Sequence, residues 1–439
     1  MVVETRSKAA RTSAAKFYTS GALAQIYLVK WLVAFGIGLL HTLLVNLLYR
    51  KVEDEYMDEI FHVNQTEAYC RGDWKYWNRM ITTPPLIYGI AAVSGFCGRE
   101  RYLNSAIIPL TFVGLTRLRL AWTNGHNNFK EAILCALSII ALPVLFDTNL
   151  LFYTDLLSLT LVIFALGTPT PTLSALIFIL SVFSRQTNII WAAFYCLQHL
   201  QQDFDSKRPL YSTILCVLRH WAFGLLGLGF LVFVVRNDFS IVLGDKTAHQ
   251  LHLHIPQIFY FASFVLFSSP FLFLQNTRIV WRHFKRNIFT YILLGLLMIP
   301  CVHYFTYNHL YLLSDNRHFT FYIWRRWFLK GPAFKYLTIP LYVISFAYIY
   351  VTLRHLRWPT LVGWFVATCF VVVPAHLVEF RYFILPFALW RLMIQRTKLL
   401  TITGELLVHV FVNIITLWLF FERPFVWQNE PDKLQRFMW

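Results

Sequence analysis

The chain has 439 residues, of which 57% are hydrophobic, 18% aromatic and only 14% charged, and its formal net charge is +17. So much apolar surface exceeds what one soluble core can bury, which excludes a soluble enzyme and leaves a membrane protein. The basic residues punctuate the gaps between apolar runs and do not gather on one soluble face, which argues against a nucleic-acid-binding protein.

Residues 1–25 are basic and small, with Arg6, Lys8, Arg11 and Lys16 ahead of an apolar run at 26–48. That run is too long for the core of a cleavable signal peptide, so it reads as a signal anchor with 1–25 as a cytosolic tail. Further apolar runs lie at 105–121, 132–146, 153–167, 173–200, 214–235, 256–275, 287–304, 336–352, 360–376, 382–394 and 402–421. With 173–200 counted as one crossing or two, they imply roughly 11 to 14 spans. Pro84-Pro85 opens a short, Gly-bearing apolar stretch at 84–97. It reads as a helix dipping into the interface, which makes 49–104 one luminal loop.

The alternation can then be followed along the chain. Residues 146–155 would be luminal, 167–172 a tight cytosolic turn broken by Gly and Pro, and 184–188 luminal again. Lys207-Arg208 would be cytosolic, 236–257 luminal, Arg278 to Arg286 cytosolic, 304–335 luminal, Arg354 to Arg357 cytosolic and 379–386 luminal. Loops rich in unusual polar residues fall on one face and simple basic loops on the other. With no repeat of fixed period and no soluble domain, 1–439 reads as a single all-α polytopic membrane domain.

The first polar loop puts Asp58, Glu59, His62, Glu67 and Asp73 within sixteen positions, in a chain with only 22 acidic residues. A sugar hydroxyl is a poor nucleophile near neutral pH, and a positioned carboxylate can act as its general base. Adjacent residues on a helix point about 100° apart, so of Asp58 and Glu59 one is chemical and the other supportive. Trp74, Tyr76 and Trp77 fit either a sugar platform or an interfacial aromatic belt. Arg185, Gln186, Lys246, His249, Asn316, Arg317, His318 and Arg381 border spans on the same expected face. Arg and Lys donors there would stabilise a lipid phosphate leaving group. Snorkelling explains a single such base but not Asp315-Asn316-Arg317-His318, because short Asp and Asn side chains do not snorkel.

Asn64-Gln65-Thr66 matches the glycosylation sequon, six residues from Asp58 where a glycan would crowd the site, and is read as a chance match. Cys135, Cys196, Cys216, Cys301 and Cys369 lie in apolar runs as small core residues. Cys70 and Cys97 flank the first polar loop and could pair in an oxidising lumen. No phosphate-binding glycine loop, dinucleotide fingerprint, nucleophilic-serine elbow or zinc signature is visible, so no cofactor and no metal is expected.

Five separated stretches carry a resemblance. They are MDEIFH at 57–62 with ITTPP at 81–85, LGDKTAHQLHLHIPQIFYF at 243–261, LLSDNRHFTFYIWRR at 312–326, VEFRYFILP at 378–386 and RFMW at 436–439. In that order they resemble the dolichyl-phosphate-glucose-dependent α-1,2-glucosyltransferases of N-glycosylation, C-type (GT-C) enzymes of the endoplasmic reticulum with a catalytic luminal first loop. The resemblance implies dolichyl phosphate glucose as donor, a diglucosylated high-mannose oligosaccharide on dolichyl diphosphate as acceptor, and an α-1,2 linkage. It implies Asp58 as the base with Glu59 beside it. The cations that border spans make Lys246, His249, Arg317, His318, Arg185 and Arg381 the expected phosphate donors. Sugar contacts are expected from His62, Trp74, Trp77, Asp315, Asn316 and Tyr382. A β-linked donor and an α-linked product imply inversion by a single displacement, without a covalent glucosyl-enzyme. A mannosyltransferase of the same fold is the nearer alternative. A transporter is the more distant one, and it would call for ionisable groups near the bilayer midplane.

Overall fold

Every apolar run of the sequence folds as helix, as a backbone crossing hydrocarbon must when it has to satisfy its own N–H and C=O groups. The structure, a computed structural model, describes residues 20–123, 128–205, 207–246 and 250–438, with side chains from Leu28 onward. The chain is an all-α polytopic membrane protein whose described strands form a single two-stranded hairpin near the C-terminus. His249 lies outside the described residues.

Among the described residues, three single helices are long and apolar enough to cross a bilayer: Leu28–Lys51, Ile288–Phe305 and Leu399–Glu422. Three further helix pairs are long and apolar enough only when taken together, and each is bent, as a broken span or a re-entrant loop. Phe129–Ile140 with Pro143–Leu150 and Pro209–Arg219 with Trp221–Arg236 each bend by 65°, and Pro256–Phe267 with Pro270–Arg286 bends by 102°. Proline sits at the first position after two of these breaks, where its missing N–H is harmless and its clash with the preceding turn is not. Four apolar helices of 10–17 residues complete much of the rest, so several expected spans are shorter or more bent than their apolar runs imply. The expected 173–200 run divides at Arg185 into Pro171–Ser184 and Ile189–Asp203, two helices joined by a short 3-10 turn.

The expected interfacial helix is Leu86–Val93, eight residues and therefore about 12 Å long, too short to cross. A disulfide joins Cys70 to Cys97 and staples the first polar loop around it. The sequon lies inside helix Glu59–Cys70, where Thr66 is buried and bonds back to the His62 carbonyl.

One hydrophobic core runs from Ala34 to Ile394. A second, smaller one gathers the end of the first helix (Val45, Leu48), Tyr56, Leu151 and Tyr153 with Phe420 and Met438. Lys51 at the end of the first helix pairs with Glu422 at the end of the last one at 2.8 Å. Both helices therefore finish at the same membrane face, the face that carries Asp58. The chain continues from Glu422 into β1 (Phe425–Trp427) and β2 (Glu430–Gln435), an antiparallel hairpin on that face.

Candidate active site

Asp58 stands at the N-cap position of helix Glu59–Cys70 with its side chain free of any capping bond, and Met57 before it holds the left-handed backbone angle φ 60°. Such an angle at a non-glycine residue is strained and persists only where its surroundings over-determine it. Here they do. Glu59 accepts the Tyr56 N–H at 3.1 Å, the Phe152 N–H at 2.8 Å and a bidentate grip from Arg101 at 2.9 and 2.7 Å. The Tyr56 hydroxyl donates to the Arg436 carbonyl at 2.6 Å. Glu59 is 0% exposed and spends its carboxylate on these four donors, so it fixes the loop and does not line the cavity beside it. The 100° divergence of neighbouring helical residues leaves Asp58 facing the other way, with 48% of its side chain exposed.

Asp58 opens onto a cavity of about 1770 Å³. Its wall brings together residues of all five sequence motifs: Asp58 and His62, Thr82 and Thr83, Asp245 and Gln250, Asp315 to His318, Glu379 to Tyr382, and Arg436 with Met438. Arg381 places Nη2 between two carboxylates, 3.1 Å from Asp58 Oδ2 and 2.8 Å from Glu379 Oε1, and its guanidinium stacks on the Tyr153 ring at 4.9 Å. Tyr153 in turn accepts the Asp58 N–H at 3.3 Å. Burial works against the charge of Arg381, and Glu379 and Asp58 outweigh it, so its pKa is raised and the guanidinium stays charged. Burial likewise raises Glu379, yet the Arg381 charge and hydrogen bond bring its carboxyl below the ordinary value.

Arg185 lines the same wall, held by Asp155 at 3.0 Å and Thr154 at 3.1 Å. Neither Arg381 Nη1 and Nε nor Arg185 Nη2 has a bonded partner among the described residues. His62 underlies the site, joined to the Tyr88 hydroxyl at 2.6 Å. Burial, aided by the positive charges of Arg381 and Arg185, lowers its pKa to about 4 against the pull of Asp58. It is a neutral imidazole near pH 7, hydrogen-bonded to Tyr88.

The expected phosphate donors divide. Arg185, Arg317, His318 and Arg381 line the cavity, whereas Lys246 is drawn out of it by Asp238 and the Asn237 carbonyl, each at 3.1 Å. Arg317 grips Asp315 bidentately at 2.8 and 2.7 Å, reaches Gln435 at 3.1 Å and lies 4.8 Å from the Trp427 ring. Of the expected sugar contacts, His62, Asp315, Asn316 and Tyr382 line the cavity. Trp74 and Trp77 do not: Trp74 packs on Tyr69 and Trp77 on Tyr88 within the disulfide-bonded loop. Glu379, Tyr153, Asp155 and Trp427 escaped the residue-by-residue reading. Glu379 had a signal, since it stands two places before Arg381 in a quoted motif. Among the described residues no group of three or more His, Cys, Asp or Glu is placed to hold a metal ion.

Fold and cavity define the class: a polytopic all-α membrane protein with a large polar-lined cavity bordered by helices that expose apolar side chains. The sequence pattern of the DIE2/ALG10 family matches residues 52–215 and 206–392. The chain is 33% identical to the Mus musculus protein named Dol-P-Glc:Glc(2)Man(9)GlcNAc(2)-PP-Dol alpha-1,2-glucosyltransferase, over 96% of this chain and 99% of that one. It is 33% identical to a Homo sapiens protein of the same name over 91% and 96%, and 29% identical to the Arabidopsis thaliana one over 88% and 95%. No solved structure matches it. The chain belongs to the DIE2/ALG10 family and is a hexosyltransferase.

Proposed function

We propose that this enzyme transfers glucose from dolichyl phosphate glucose, in α-1,2 linkage, to Glc2Man9GlcNAc2 on dolichyl diphosphate, at the luminal face of the endoplasmic reticulum membrane. The relatives' shared name supports the acceptor and the linkage. The observation that carries the mechanism is the half-exposed Asp58 carboxylate on a wall whose Arg381 and Arg185 keep unused N–H donors. Asp58 takes the proton of the attacking acceptor hydroxyl, the new glycosidic bond forms as the C1 to phosphate-oxygen bond breaks, and dolichyl phosphate leaves with the electron pair. Inversion follows from this single displacement. The leaving phosphate gains negative charge along this path, and Arg381 and Arg185 stabilise it most in the transition state. As the phosphate engages Arg381, Glu379 holds the guanidinium in place. Arg317, already neutralised by Asp315, orders the wall, and no metal or cofactor takes part in this scheme.

The cavity has two kinds of flank. Ile190, Trp191, Phe230, Phe370 and Val371 form an apolar side next to Trp221–Arg236, a helix that exposes Leu225, Leu228, Leu231 and Val235. This side suits polyisoprenoid chains. With the basic N-terminal residues in the cytosol, Asp58 and the C-terminal hairpin are both luminal. The test is transfer by the purified protein of glucose from dolichyl phosphate glucose to the diglucosylated acceptor, with methylation analysis of the product. A terminal glucose on a newly 2-substituted glucose is expected. Transfer from dolichyl phosphate mannose in its place would replace this reading with that of a mannosyltransferase.

A further inference from the structure

A two-stranded hairpin in water is marginal alone, so the 17 residues after the last helix need outside contacts to be ordered. In this protein they fold back onto the active site. Trp427 Nε1 donates to Asn316 Oδ1 at 2.7 Å, Gln435 receives Arg317, the Arg436 N–H donates to the Tyr56 hydroxyl at 2.8 Å, and the Met438 N–H donates to the Arg317 carbonyl at 2.9 Å. These bonds tie the hairpin to both sides of Asp58 in the sequence of the site, to the residue two before it and to the Asp315–His318 segment. Trp427, Leu434 and Gln435 line the cavity, whereas Val426, about half-exposed, does not.

The chemistry of this flank decides its occupant. Trp427 offers part of a flat aromatic surface, and Asn429, Glu430, Asp432 and Lys433 line the same cavity beside it. Two carboxylates against one ammonium make a poor seat for a phosphate, which the Arg381 and Arg185 wall attracts, and no polyisoprenoid would choose this polar edge over the apolar flank. A neutral carbohydrate meets both of its requirements here. Its C–H faces can lie on the indole, and its hydroxyls can bond to amide, carboxylate and ammonium groups. We propose that the C-terminal hairpin is the acceptor subsite: Trp427, with Asn429, Asp432 and Lys433, binds the oligosaccharide and presents its terminal sugar to Asp58. The proposal rests on the transferase reading above and adds to it the element that selects the acceptor. The competing view is that the hairpin only covers the Asp315–Arg317 pair.

The two views separate on which substrate feels the change. The full-length protein in phosphatidylcholine nanodiscs is titrated with dolichyl-diphosphate-linked Glc2Man9GlcNAc2 in the absence of donor, and steady-state kinetics are then run against each substrate. Trp427→Ala is expected to weaken acceptor binding by about tenfold to thirtyfold, the range for loss of an aromatic anchor, and to leave donor KM unchanged. Trp427→Phe is expected to restore most of the affinity. Val426→Thr, on the outward side of the same strand, is expected to bind as wild type. Asp432→Asn and Lys433→Gln, on exposed side chains that need no refolding, should each weaken the acceptor and carry the test if Trp427→Ala does not fold. Wild-type acceptor affinity in Asp432→Asn and Lys433→Gln, or equal loss of donor and acceptor in Trp427→Ala, would overturn the proposal. Because binding is read without donor, failure of wild type to use dolichyl phosphate glucose would sink the transferase reading and leave the hairpin result standing by itself.

Discussion

Two regions of this protein are built from arginines and carboxylates, and they behave as opposites. Helix Arg101–Trp122 carries Arg101 near the cavity and, 18 residues on and so about 27 Å along the axis, Arg119 near the far end. There Arg119 is 0% exposed. It holds Glu131 by two bonds at 3.2 and 2.6 Å and spends Nη1 on the carbonyls of Arg391 and Leu392. All three guanidinium nitrogens are bonded, and the side chain is fully buried. In the cavity Arg381 divides one nitrogen between Asp58 and Glu379 and keeps others unused, and Asp58 stays half in solvent. An ion pair alone therefore says little about chemistry. Spare hydrogen-bonding capacity and access to a cavity distinguish the pair proposed to do the chemistry from the structural one, and Glu59, one residue from Asp58, belongs to the structural kind.

The contrast can be broken from either side. Asp58→Asn keeps shape and removes the base, so transfer should fall by about 100-fold to 10,000-fold, with thermal unfolding of the purified protein unchanged. Near wild-type turnover would remove Asp58 from the mechanism. Arg119→Ala should do the reverse. It strands Glu131 in a dry site, at about 3–5 kcal/mol, so the readout is loss of monodisperse, detergent-soluble protein and not a kinetic defect in a stable one. Arg119→Lys should rescue little, because an ammonium cannot reproduce the fork that grips Glu131 and two carbonyls.

Much of this was legible in the sequence, for reasons that can be located. Apolar runs force helix in hydrocarbon, so the helices fell where the runs did. The adjacency of Asp58 and Glu59 forced them apart in role, and five motifs separated in the chain meet around one cavity. The bends were hidden, since 256–275 is apolar on both sides of Ser268-Ser269 and its composition does not register a 102° turn. Lys246 stood in the right loop, but its partner Asp238 is only eight residues away and takes it aside. The hairpin was invisible: its second strand, EPDKLQ, has no strand propensity, and what holds it, Arg436 to Tyr56, spans 380 residues.

A smaller effect follows from His62. Its folded pKa, about 4, lies below the unfolded value of about 6.5. Between those limits the unfolded chain binds the extra proton. The contribution is thus fully present above pH 6.5 and lost as pH falls toward 4, to a maximum of about 3 kcal/mol. His254, also lowered to about 4 by burial, titrates in the same window. Melting temperature should therefore drop between pH 7 and 4.5 in the wild type, and less steeply in His62→Asn. Parallel curves for the two proteins would show that His62 is not the group that matters.

The smallest expected effect tests whether the motifs truly depend on one another's backbone. A Cβ on Gly244 would lie 2.0 Å from the Ile81 carbonyl oxygen and 2.7 Å from that of Arg79. These are main-chain atoms and cannot swing aside as the end of a side chain can. The neighbouring Leu243 N–H donates to the Thr82 carbonyl at 3.3 Å, which also accepts from Gln186 at 2.7 Å, and Thr82 and Thr83 line the cavity. Gly244→Ala must therefore push segment 79–82 away from the site, an overpacking worth about 1–3 kcal/mol, and should lower both melting temperature and kcat/KM. Gly227→Ala provides the opposite sign. Gly227 sits inside helix Trp221–Arg236 with nothing within 4 Å of the added atom, and alanine is the better helix former by about 1 kcal/mol. If Gly244→Ala melted and turned over like Gly227→Ala, the contact between the second motif and the first would be incidental, and the cavity wall would owe its shape to the helices alone.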